Sequence, residues 1–154
     1  MADIGIFIQV VVALVLGIVL GAERTFAGKT AGMRTYGLVS MGSCLLVIIS
    51  QLVLWNANVA FDPLRLAAGI VTGIGFLGAG LIVVKDSTAS GLTTAAGLWV
   101  ASGIGIAVGY GFYVLAIFAT FLTYVVFTFL WSFERKLKSI ADYNAGDQEK
   151  AKHS

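Results

Sequence analysis

The sequence predicts an all-α membrane protein, a bundle of about five transmembrane helices with the N-terminus outside and the C-terminus cytoplasmic. Three observations carry that reading. Of 154 residues, 58% are hydrophobic and 12% charged, with a mean hydropathy of +0.94; in soluble domains about a quarter of residues are charged. The apolar residues gather into long runs between residues 4 and 133, and charges fall almost only in the short stretches between the runs. Finally, Lys and Arg alternate in number from one inter-run stretch to the next, as an odd count of crossings requires.

Each run is long enough to span a hydrocarbon core about 30 Å thick, which takes roughly 17–25 helical residues. The expected spans are Ile4–Leu20, Thr35–Trp55, Leu66–Val84, Leu92–Val108 and Phe112–Phe133. Continuous apolar character without dyad alternation excludes a β-barrel, so backbone polar groups must be satisfied within helices. Arg24, Lys29, Arg34, Lys85, Arg135, Lys136 and Lys138 lie on one side of these spans, against Arg65 alone on the other. The positive-inside rule therefore puts the richer side in the cytoplasm. Met1-Ala2-Asp3 supplies no basic segment of the kind that opens a cleaved signal peptide. Residues 1–138 read as one transmembrane domain and 139–154 as a short polar cytoplasmic tail.

Small residues are the next layer. Ala68, Thr72, Gly75 and Ala79 share one face of span three, Thr94, Gly97, Ala101 and Gly105 one face of span four, and Ala13, Gly17 and Gly21 one face of span one. Lipid gives helices no hydrophobic reason to associate, so close backbone contact across such stripes is what holds them together. Tight packing of spans one, three and four is expected. The same faces also suit a homodimer or contact with another membrane complex. An alternative is that the Gly-rich stretches mark broken helices along a solute path.

The remaining polar residues cluster at span ends. On the cytoplasmic side Glu23, Arg24, Lys29, Arg34 and Thr35 follow span one; a carboxylate so close to hydrocarbon should pair with one of these cations. On the outer side Asp62 and Pro63 suit the start of a helix, with Arg65 three residues on within pairing reach of Asp62. Within the membrane, Thr72, Gly75, Thr93 and Thr94 are the candidate intramembrane contacts. Trp55 and Trp131 fit interfacial anchors, while Trp99, mid-span, reads as packing. Cys44 reads as a buried thiol. Gly73-Ile74-Gly75-Phe76-Leu77-Gly78 spells a dinucleotide fingerprint, but that motif works only between a strand and a helix of a soluble βαβ unit.

No nucleophile–base pair and no metal-ligand cluster stands out, and the only histidine, His153, is in the tail. Catalysis has no candidate residues, and no cofactor is expected. The net charge of +2 belongs to the loops and does not indicate a nucleic-acid partner; the lipid bilayer is the partner that the composition implies.

Taken together, Gly21-Ala22-Glu23-Arg24, Lys29, Ala31-Gly32-Met33-Arg34-Thr35, Asp62-Pro63-Leu64-Arg65, Gly73-Ile74-Gly75-Phe76-Leu77-Gly78-Ala79-Gly80 and Gly91-Leu92-Thr93-Thr94-Ala95-Ala96 resemble the MgtC/SapB family of bacterial inner-membrane proteins. The resemblance implies a five-helix, multi-pass inner-membrane domain with the N-terminus outside. It further implies a link to magnesium limitation, acid stress and, in pathogens, survival inside macrophages, through regulation of cation balance or membrane energetics. Many members carry a basic residue immediately before the Gly-Leu-Thr-Thr element, where this chain has Ser90, and members of the MgtC branch add a C-terminal cytoplasmic domain. Two function classes stay open: a stress-response regulatory membrane subunit, and a small transporter or channel-like protein for a cation or other small solute.

Overall fold

The computed structural model describes residues 2–57, 62–85 and 87–130. Five α-helices follow in order: α1 (Ala2–Phe26), α2 (Met33–Ala57), α3 (Pro63–Leu81), α4 (Leu92–Gly109) and α5 (Tyr113–Val125), the last running into a π-helical turn at Val126–Leu130. An antiparallel hairpin, β1 (Val83–Lys85) and β2 (Thr88–Ser90), joins α3 to α4. Ile4–Phe26, Met33–Val53 and Leu92–Gly109 are long and apolar enough to cross a membrane, while Arg65–Leu81 and Tyr113–Phe129 are apolar but shorter. The protein is thus a mostly helical membrane protein.

Helix positions follow the apolar runs, with α4 within one residue of expectation and α1 extending through Glu23 and Arg24. Span three needs correction. It ends at Leu81, and Val83 and Val84 belong to the hairpin, because paired β-branched residues favour extended backbone. The ladder sets Val83 opposite Ser90, Val84 opposite Ala89 and Lys85 opposite Thr88, with Ser87 at a φ of 64° in the turn. Gly91 then starts α4 with a φ of 87°, tucked against the Leu81 carbonyl where a Cβ has no room. That is why the Gly-Leu-Thr-Thr element opens on glycine. The side chain of Trp55, together with Trp131, Phe133, Arg135, Lys136, Lys138 and the 139–154 tail, lies outside what the structure describes.

Helix α4 is the hub and packs against each of the other four helices. Its stripe of Thr94, Gly97, Ala101 and Gly105 is buried throughout. A Cβ on Gly105 would stand 2.8 Å from the carbonyl carbon of Ser40, and one on Gly109 2.8 Å from the Cβ of Val47. Helix α1 approaches α2 as closely: a Cβ on Gly17 would stand 2.5 Å from the Tyr36 carbonyl oxygen. Polar side chains cross the same interfaces. The Ser43 and Ser102 hydroxyls share a hydrogen bond at 2.9 Å, and Gln9 Nε2 donates to the Val108 carbonyl at 3.3 Å. The buried Ser40 hydroxyl has no partner among the described residues. Cys44 is a buried free thiol.

Helix α3 contradicts its half of the packing expectation. Ala68, Thr72, Gly75 and Ala79 are all exposed, and a Cβ on Gly75 would meet nothing within 4 Å. The helix is held instead through branched side chains, Ile70 and Ile74 against Val47, and through Gly78 beside Ala95. Trp99 is likewise not packed inside; it is 55% exposed on the outer side of α4.

Candidate functional site

The end of the bundle where α1 finishes and α2 and α4 begin gathers its most unusual chemistry. Helix α1 closes with the Ala27 amide donating to the Glu23 carbonyl and the Lys29 amide to the Arg24 carbonyl, both at 2.9 Å, with Gly28 at a φ of 65°. Thr25 then ties α1 to α2: its hydroxyl donates to the Gly21 carbonyl at 3.0 Å and accepts from the Met33 amide at 3.2 Å. A Cβ on Gly21 would stand 2.6 Å from the Met33 Cα, so the start of α2 lies directly on α1.

That turn turns Arg24 inward. Its side chain is 2% exposed, the guanidinium lies 3.7 Å over the Phe127 ring, and one amino group donates to the Phe127 carbonyl at 3.5 Å, 103 residues away in sequence. Nε donates to the Glu23 carboxylate, which reaches the rim. Phe127 in turn meets Tyr36 edge-on with ring centroids 6.4 Å apart, and the Tyr36 hydroxyl donates to the Thr94 carbonyl at 3.1 Å. Gly97 makes room for both rings, since a Cβ there would stand 2.6 Å from the Phe127 ring. A buried arginine is tolerable only when its charge is compensated, and here a carboxylate, a carbonyl and an aromatic face supply that. The result is a charged latch joining α1, α2, α4 and the π-helical turn.

Of the cytoplasmic cluster expected from sequence, the structure brings Glu23 and Arg24 together and leaves Lys29, Arg34 and Thr35 exposed. Glu23 takes Arg24 and not Arg34. Thr35 instead borders a cavity of about 370 Å³ with Leu77, Gly80 and Leu98. On the other side, Asp62 and Arg65 meet through the backbone, the Arg65 amide donating to the Asp62 carbonyl at 3.1 Å. Helix formation from Pro63 fixes that geometry. The Asp62 charge is felt by Tyr110 after α4: burial pushes the Tyr110 phenol up, and Asp62 adds to the shift. Thr72 sits on the open face of α3, its hydroxyl donating to its own helix at Ala68, 2.8 Å. Thr93 is exposed and Thr94 buried, and Thr94 contributes its carbonyl to the latch.

Sequence reasoning missed Thr25, Tyr36, Gly97 and Phe127 as site residues. Tyr36 directly follows the Arg34-Thr35 motif and Gly97 lies on the α4 stripe, so both carried a signal. Phe127 carried none, being one of 10 phenylalanines in apolar sequence.

Comparison with known proteins bears on this arrangement. The MgtC family profile matches residues 10–136. The Escherichia coli K12 protein named "Putative magnesium transporter YhiD" is 43% identical over 123 residues, covering 77% of this chain and 57% of that protein. Protein SapB of Bacillus subtilis is 36% identical over 96 residues, covering 59% of this chain and 41% of its own. Protein MgtC of Brucella abortus is 44% identical over 80 residues, covering 52% and 32%. The chain thus spans less than two thirds of each of these relatives. No solved structure matches it. The profile covers α2, α3, α4 and both halves of the Arg24–Phe127 latch, and on that evidence the chain belongs to the MgtC family.

Proposed function

We propose that this chain is a multi-pass inner-membrane protein that regulates cation balance under magnesium limitation by docking onto another membrane complex, and that it does not carry the ion through its own core. All five helices cross in this reading, with the N-terminus outside and the latch at the cytoplasmic end, as the Lys and Arg distribution favours. The link to magnesium draws on the family and on the relatives' names. The observation that carries docking is the open face of α3: Ala68, Thr72, Gly75 and Ala79 are uncovered although their spacing suits helix contact. Against a path through the core stands the backbone-to-backbone closure at Gly17 and Gly105. A magnesium ion also needs several oxygen ligands in octahedral array and gives up its water reluctantly.

A second reading, transport of magnesium by the chain itself, is favoured by the YhiD name. Two measurements separate them: Mg²⁺-gradient-dependent flux in liposomes carrying the purified protein, and rescue of low-magnesium growth in cells lacking their own copy. Docking predicts no saturable flux, and rescue by wild type that Gly75→Leu abolishes. Saturable flux that survives Gly75→Leu overturns it.

A further inference from the structure

Helices α2 and α3 touch through Val47, Ile70 and Ile74 and then part, leaving a groove of about 740 Å³. Leu38, Leu46 and Leu77 wall it, and Gly42, Gly69 and Gly73 hold it open, none having an atom within 4 Å of where its Cβ would be. Its one cation is Arg65, exposed at the rim, whose guanidinium has no acceptor among the described residues. Ser43, the other polar side chain, is already bonded to Ser102.

From this we infer that the groove seats one acyl chain of an anionic phospholipid, with the lipid phosphate held by Arg65. Two features select that occupant. Arg65 to Leu77 spans twelve residues of α3, or roughly 18 Å at 1.5 Å per residue, slightly more than half of a hydrocarbon core of about 30 Å. The groove therefore reaches the depth of a single leaflet, as an acyl chain does. The charge at its mouth is complementary to a phosphate, which a guanidinium binds through two parallel hydrogen bonds. Asp62 is the opposing charge at this end; its backbone carbonyl accepts from the Arg65 amide, and its field acts on Tyr110 at the end of α4. The groove is round the helix from the open stripe, since Gly69 and Gly73 fall on a different face of α3 from Thr72 and Gly75.

The test uses the full chain in nanodiscs of dioleoylphosphatidylcholine with and without dioleoylphosphatidylglycerol, followed by native mass spectrometry of retained lipid. Wild type should retain phosphatidylglycerol in preference to phosphatidylcholine. Arg65→Gln should reduce that preference roughly fivefold, the share of one interfacial cation. Gly73→Leu, whose side chain enters open space, should fold and lose bound lipid of both kinds; Gly69→Leu is a second filled groove should Gly73→Leu misfold. Undiminished preference in Arg65→Gln, or full lipid retention in the filled grooves, overturns the assignment. So does conversion of a dimer to a monomer by Gly73→Leu with lipid retention unchanged, which makes a second copy of the chain the occupant.

Discussion

Helices α3 and α4 carry small residues at nearly the same spacing, yet one stripe is the seam of the bundle and the other lies open. On α4, Gly105 meets the Ser40 backbone and Gly97 makes room for Tyr36 and Phe127; on α3, Gly75 meets nothing. The hydroxyls follow suit. Ser102 reaches across to Ser43, whereas Thr72 bonds back to its own helix. Spacing establishes that small side chains share a face. It does not say whether a neighbour of the same chain takes that face, because lipid imposes no cost on leaving glycine and alanine uncovered. What anchors α3 is a different face, Ile70 and Ile74 on Val47.

The sharpest way to break the comparison is Gly105→Leu. With the Ser40 backbone where the new side chain must go, loss of about 3 kcal/mol or more is expected, since backbone cannot step aside as a flexible side chain does. Thermal unfolding in detergent measures it. A variant that melts with wild type would mean that the α2–α4 seam is looser than described.

The latch comes next in size. Arg24→Met keeps much of the side-chain length but strips Glu23 of its cation and Phe127 of its stacked charge, and should cost about 2 kcal/mol. Arg34→Met, on an exposed residue two positions into α2, should be close to neutral. Equal effects from the two would argue that Glu23 exchanges between partners.

That contrast also marks where sequence reading stops. Apolar run length located the helices, because the bilayer sets a length that the chain must meet. The glycine before Leu92 and the polar residues after span one were equally visible as motifs. Arg24 inside the bundle was not, since its compensation comes from Phe127, and no local pattern distinguishes that ring from its neighbours. The hairpin was half visible: Val83 and Val84 extend an apolar run and so look helical, although β-branching and the turn at Ser87 favour the strand they form. Trp99 misled for a related reason, as in lipid a mid-span aromatic is as well placed outside a bundle as within it.

A smaller effect belongs to the hydroxyl pair. Ser43→Ala and Ser102→Ala, singly and together, should give a coupling of about 0.6 kcal/mol, the ordinary size of an interhelical hydrogen bond in a membrane. Thr72→Ala on α3 should show no coupling to either. A coupling near zero for the serine pair would leave the α2–α4 seam resting on shape alone.

The smallest effect on stability is the most informative for function. Gly75→Leu places a large side chain on an open helix face, so unfolding should change by no more than about 0.5 kcal/mol, the range of surface substitutions. If the face is simply lipid-exposed, rescue of low-magnesium growth should be as indifferent as stability. If a partner helix seats there, Gly75 has to stay small, and rescue should fail in a protein that is folded and present in the membrane at wild-type levels. Phe7→Ala is the control, for Phe7 is an apolar residue 70% exposed on α1 and not on α3. Rescue lost with Gly75→Leu and kept with Phe7→Ala would assign α3 to an external partner and α4 to the fold. Rescue retained by both would leave the open stripe without a docking role.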